Sequence, residues 1–155
     1  MVRYWLWPAG LLGIALIVGY TSKDGMGAGV PSLEFWLEVP ASVRVGTPVP
    51  LTVKLQNTSN RPVELSFSGR PAYDFVVTKP DGLEVWHWSH GQAIQAILEL
   101  KTLKPGEAVE FAEAWGQRDN EGKPVPSGTY WVRGILNLEH PAKLETEPKS
   151  LSILP

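Results

Sequence analysis

From Leu33 onward, apolar side chains fall on every second position in a succession of short runs, and each run is closed by a breaker. "LEFWLEV" (33–39) puts Leu33, Phe35, Leu37 and Val39 on one side, and "VPLTVKLQN" (49–57) does the same with Val49, Leu51, Val53 and Leu55. A period of two is that of a half-buried strand, because successive side chains of an extended chain point to opposite faces. "VELSF" (63–67), "DFVVT" (74–78), "LEVWHW" (83–88), "AVEFAEAW" (108–115), "GTYWVRGILNL" (128–138) and "KSLSIL" (149–154) continue the series. The stretch "GQAIQAILELKTL" (91–103) alternates in its second half, and its first half suits a helical turn. Lys79-Pro80-Asp81-Gly82 and "KPGE" (104–107) are turn sequences. Eight or nine strands at roughly ten-residue spacing predict an all-β, immunoglobulin-like antiparallel β-sandwich. Gly134, inside a strand, marks a bulge or a close approach.

The composition agrees. Fifteen glycines, 14 prolines and seven tryptophans favour short strands and turns over long helices. A length of 155 residues accommodates one domain, not two. The formal net charge of -2 gives no basic field, so nucleic acid is not an expected partner. No cysteine is present, which removes disulfides, thiol catalysis and Cys-ligated zinc.

The N-terminus follows a different pattern. After "MVR", residues 4–20, "YWLWPAGLLGIALIVGY", carry no charge. As a helix this segment spans about 25 Å, close to a hydrocarbon core. Tyr4, Trp5, Trp7 and Tyr20 suit the two interfaces. A transmembrane signal anchor and a cleaved signal peptide both fit, with Gly19-Tyr20-Thr21 and Gly25-Met26-Gly27 as weak cleavage sites. The expected organisation is an anchor or signal helix over 1–21, a Gly-rich linker over 22–32 and a β-domain over 33–155. Arg3 keeps the start inside, so the domain is expected outside the membrane, tethered through residues 4–20, or secreted if that segment is cleaved.

"EVWHWSHG" (84–91) is the stretch that most resembles a site. His87 and His90 are the close pair, with Asp74 or Glu84 as possible carboxylates, but metal-binding spacing such as H-E-x-x-H is absent. No G-x-S-x-G is present either, and Ser89 beside His90 is proximity in sequence only. No catalytic residue, metal ligand or cofactor is therefore assigned. Trp86, Trp88, Trp115 and Trp131 lie in strands, where large aromatics anchor a core. Trp36 and Trp131 face away from their aliphatic neighbours and are the candidates for an exposed binding platform.

The order of motifs from Tyr73 is more specific. Tyr73-Asp74-Phe75, Trp86-x-Trp88-Ser89, Leu103-x-Pro105-Gly106-Glu107, Trp115 and Gly128-x-Tyr130 resemble the BsuPI domain, the intracellular proteinase inhibitor family of bacilli, over about residues 49–138. The resemblance implies an immunoglobulin-like sandwich, a non-enzymatic domain and a protein partner such as a serine protease. Its motif residues read as scaffold: Asp74 satisfies a turn, Pro105-Gly106 sets one, and Tyr130 closes a corner. Two positions depart from the family, Ala93, where an aromatic is common, and Gly116, where an acid is common. The expected protein contact is an ordered loop. The 117–128 loop, with Asn120, Lys123, Pro124, Val125 and Pro126, is the first candidate, and 89–97 is the second. The competing expectation is a non-inhibitory envelope module that binds protein or glycan.

Overall fold

The alternating run from Val49 to Asn57 becomes a nine-residue strand whose odd-numbered side chains are all buried. That pattern repeats through the computed structural model, which describes residues 16–17 and 33–155. The strands are β1 (Leu16–Ile17), β2 (Leu33–Glu38), β3 (Ser42–Arg44), β4 (Val49–Asn57), β5 (Val63–Phe67) and β6 (Tyr73–Thr78). They continue with β7 (Glu84–His87), β8 (Glu99–Leu103), β9 (Ala108–Trp115), β10 (Gly128–Leu136), β11 (Leu144–Glu145) and β12 (Lys149–Leu154).

One sheet has the order β1-β2-β4-β9 and a second the order β3-β12-β10-β6-β7, with β11 also on β10. Leu37, Leu51, Val53 and Leu55 from the first sheet and Phe75, Val77, Val132 and Leu151 from the second are fully buried in one core. Each such side chain contributes about 1.5–3 kcal/mol by leaving water. A two-stranded sheet, β5-β8, adds Val63, Leu65, Phe67 and Leu103 to the same core. At Gly134 the two layers approach closely: a Cβ there would overlap the Val53 side chain.

The fold is all-β, as expected, with three corrections of detail. β3 runs parallel to β12, with Ser42 opposite Ser152, so the sheets are not wholly antiparallel. Short strands β3 and β11 fall where no alternation announced them. The expected helical turn in residues 91–97 is not formed; beyond a turn at 88–91 the chain takes no regular structure up to Leu98, except that Gln95 forms an isolated bridge with Arg70.

Of the apolar N-terminal segment only Leu16–Ile17 is described, and it pairs antiparallel with Glu34–Phe35. The rest of the expected anchor or signal segment, and the expected linker, lie outside the described residues. Among the described residues no helix is long and apolar enough to cross a membrane.

Candidate functional site

β9 is the free edge of the first sheet, and its inward side chains Phe111, Glu113 and Trp115 lie opposite Val53, Leu51 and Val49. Aromatics from β6, from β7 and from the turn after β7 close the sandwich over them. Trp86 stacks on Trp115 with ring centroids 5.9 Å apart. Tyr73 lies between Trp88 and Phe111, 4.6 Å from each. The Tyr73 hydroxyl donates to Glu113 Oε1 at 2.6 Å. Burial holds this phenol well above its ordinary pKa of 10.0, and the Glu113 carboxylate that accepts its hydrogen bond raises it further.

Asp74 accepts hydrogen bonds from the backbone N–H of Phe75 at 2.8 Å and of Ser89 at 3.0 Å, and from the Ser89 hydroxyl. The motif Asp and Ser thus tie the turn after β7 back to β6. The tie is completed by Trp88 N–H donating to Phe75 C=O at 3.0 Å. Pro105-Gly106 forms the β8–β9 turn. Gly106 takes a φ of 76°, and Glu107 N–H donates to Lys104 C=O at 2.9 Å. A positive φ at the third residue of a turn is where glycine is needed. Tyr130 is buried, and its hydroxyl donates to Pro126 C=O at 2.7 Å; burial raises its pKa as well. Gly128 starts β10 with a φ of 150°.

His87 and His90 do approach each other, with ring centroids 5.2 Å apart. His87 Nδ1 lies 2.6 Å from Glu84 Oε1. Among the described residues no three His, Asp or Glu side chains gather as a metal site. Trp131 is 37% exposed and Trp36 is half-buried. They belong to β10 and β2, on the outer faces of opposite sheets, so they do not form one platform.

The 117–128 loop is ordered by its own hydrogen bonds. Asp119 Oδ1 accepts from the N–H of Glu121 and Lys123 at 3.0 and 2.8 Å, and Asp119 N–H donates to Lys123 C=O. Asn120 is taken up by the scaffold. Its N–H donates to Val85 C=O, its Oδ1 accepts from His87 N–H, and its Nδ2 donates to Glu84 Oε1, each at 3.0 Å. Val125 packs against the core. Lys123, Pro124 and Pro126 remain exposed.

The second candidate segment is different in kind. Residues 90–100 are all exposed, Ile94 at 88% and Leu98 at 65%. Gln95 bridges Arg70 through two backbone hydrogen bonds, of 2.8 and 3.2 Å. Arg70 Nη2 lies 2.8 Å from Glu99 Oε2. Between this strap and the aromatic stack lies a cleft of about 360 Å³, lined by Arg70, Tyr73, Trp88, Gln95 and Phe111 among others. The sequence named 89–97 but not the exposure of its apolar residues, nor of Leu98 and Leu100 beyond it. The available signal was the clustering of apolar residues in "AILEL" without a polar face.

A family model described as BsuPI, intracellular proteinase inhibitor, matches residues 37–140. No curated protein matches the sequence significantly. Among solved structures, the Pseudomonas fluorescens alkylpurine DNA glycosylase AlkC bound to DNA is 18% identical, with a TM-score of 0.46. The match covers 79% of this chain and 30% of that one. The CARDB domain of the Pyrococcus furiosus PF1109 protein is 16% identical, with a TM-score of 0.44, over 88% of this chain and 100% of that one. Spo0M, a sporulation control protein from Bacillus subtilis, is 12% identical, with a TM-score of 0.46, over 79% and 49%. The chain thus spans less than a third of the glycosylase and about half of Spo0M.

Proposed function

The chain belongs to the BsuPI family of intracellular proteinase inhibitors, and from that premise we propose that it is a proteinase-inhibitor-like binding domain. It acts without chemistry of its own, as an immunoglobulin-like sandwich that holds loops rigidly for a protease or another protein. The observation that carries this reading is the family match over residues 37–140. It is supported by loops whose backbones are fixed before any partner arrives, the condition under which binding loses least conformational entropy. The uncharged run at 4–20 supports an exported or membrane-anchored domain, so the intracellular site of action does not carry over to this chain.

One observation favours the competing reading, a non-inhibitory envelope module: Trp131 stands 37% exposed on the outer face of β10. Titrating the full chain into a subtilisin-type and a trypsin-type protease separates the two. Saturable inhibition with the chain left uncut is the expected result. Absence of inhibition at micromolar concentration of both, or digestion of the chain, overturns the inhibitor reading and leaves the module.

A further inference from the structure

We propose that the strap from Ala93 to Leu98 is the protease-contacting segment, and that it presents Ile94 to the apolar primary pocket of an enzyme that reads extended backbone. The proposal rests on the inhibitor reading above and locates its site.

The first observation is the direction of backbone groups. Gln95 N–H donates to Arg70 C=O at 3.2 Å, and Arg70 N–H donates to Gln95 C=O at 2.8 Å. In a strand the N–H and C=O of one residue point to the same side, and those of its neighbours to the other. With Gln95 turned toward Arg70, Ile94 and Ala96 turn their groups away from the body. Among the described residues neither has a backbone hydrogen-bond partner. The isolated bridge at Gln95 thus leaves unpaired backbone on its outer side, which a partner can extend when it recognises main chain.

The second observation is what stands on that edge. Ile94 is 88% exposed. One exposed aliphatic residue is ordinary. Here Ile94, Ile97, Leu98 and Leu100 are all exposed within seven consecutive residues, and a cluster of that kind marks an interaction surface. No charge occurs from Gly91 to Leu98. The segment therefore matches a protease with an apolar primary pocket and not one whose pocket selects Lys or Arg.

The third observation is rigidity at both ends. Gln92 Nε2 donates to Trp88 C=O at 2.8 Å, just beyond the turn tied down by Asp74 and Ser89. The other end runs into β8, where Glu99 pairs with Phe67 of β5, with the exposed Arg70–Glu99 pair at 2.8 Å beside it. Gly69 lets the strap lie close, since a Cβ there would sit 3.2 Å from Gln95 O. The 117–128 loop lacks the free edge, because its central backbone groups bond within the loop or to β7. Of the two basic residues there, Arg118 donates to Gly122 C=O at 2.7 Å, which leaves Lys123 as the one that would suit an acidic pocket.

The test measures inhibition constants of the full chain and three variants against both proteases, with unfolding midpoints as the folding control. Ile94 is too exposed for its replacement to move the midpoint. Ile94→Asp is expected to weaken inhibition of the subtilisin-type enzyme by about 30-fold or more, the scale of an interface hot spot. Ile94→Lys is expected to lose that inhibition and to gain inhibition of the trypsin-type enzyme, which unfolding could not produce. Lys123→Ala is expected to change neither by more than about threefold. Wild-type inhibition that survives Ile94→Asp but falls with Lys123→Ala overturns the strap and leaves the inhibitor reading standing. Failure of the wild type to inhibit either enzyme overturns both.

Discussion

Gln117 is the one non-glycine residue among those described with a positive φ, 55°, and it is buried. For an L-residue that conformation costs about 1–2 kcal/mol. The side chain offsets it: Nε2 donates to Arg44 C=O at 2.8 Å and Thr47 C=O at 2.6 Å, and Oε1 accepts from Gly46 N–H at 2.9 Å. Gln117→Ala keeps the strained backbone and strands these groups, at a cost of about 1–3 kcal/mol. Gln117→Gly strands them too but relieves the strain, so it is expected to unfold at a higher urea concentration than Gln117→Ala. The opposite order would mean that the backbone strain is not real. Gly134 gives a second pair. Gly134→Ala drives a Cβ into Val53, a stiff β-branched side chain in a buried strand, and is expected to destabilise by about 1–3 kcal/mol. Adding Val53→Ala makes room, so the double variant is expected to lose less than the sum of the two single losses. Gly134 was legible in the sequence because a glycine inside a strand asks for a reason. Gln117 was not, since nothing in a glutamine announces a left-handed backbone; only the three groups it meets, some seventy positions away, reveal it.

At the scale of elements, period-two alternation located the strands whose one face is buried. It missed β3 and β11, which are too short to show a period. It also misjudged residues 91–97, where exposed apolar side chains break the rule that apolar means inward. The loop chosen from sequence is held by a mechanism that only the fold supplies: Asn120 completes the edge of β7. Glu84 belongs to this clasp. Burial works to raise its pKa, but the hydrogen bonds from His87 and Asn120 and the nearby histidine charges outweigh burial and hold it below 4.5. A carboxyl lowered in the folded state contributes stability above its unfolded value, and that contribution disappears as pH falls through the folded value. Unfolding midpoints measured from about pH 6 to about pH 3 are therefore expected to fall more steeply below pH 4.5 for the wild type than for Glu84→Gln. Glu145 adds to the same acid limb, lowered by its hydrogen bond from Lys143 against the effect of burial, so Glu84→Gln flattens the limb only in part. Identical acid limbs would show that the clasp has no electrostatic component.

For the whole molecule, the question is whether the β5-β8 sheet is a satellite or part of one cooperative unit. One link to the sandwich is Asn57, the fully buried polar residue at the end of β4; another is Ser66 of β5, whose N–H donates to His140 C=O at 2.9 Å and whose C=O accepts from Glu139 N–H at 2.8 Å. Asn57 Nδ2 donates to Leu103 C=O at 3.0 Å and to Arg61 C=O at 2.7 Å, and Oδ1 accepts from Ser59 N–H and Oγ at 3.0 and 2.6 Å. Its backbone completes the joint: its N–H donates to Glu107 C=O, and its C=O accepts from Gly106 N–H at 2.8 Å. One residue thus binds the end of β4, the loop leading into β5, the end of β8 and the turn into β9. Asn57→Ala leaves the buried Leu103 carbonyl without this donor, a loss of about 1–3 kcal/mol. Asn57→Asp preserves shape and acceptors but cannot donate, and it places a carboxylate against two carbonyl oxygens. It is expected to be at least as destabilising as Asn57→Ala, although by size it is the milder change. Because the β5-β8 side chains share the main core, both variants are expected to unfold in a single transition, with tryptophan fluorescence and far-ultraviolet circular dichroism coincident. Among the described residues the tryptophans, Trp36, Trp86, Trp88, Trp115 and Trp131, report the sandwich, and circular dichroism reports all three sheets. A dichroism change that precedes the fluorescence change in Asn57→Ala would show that the small sheet detaches first, and with it the base on which Arg70, Glu99 and the strap are held.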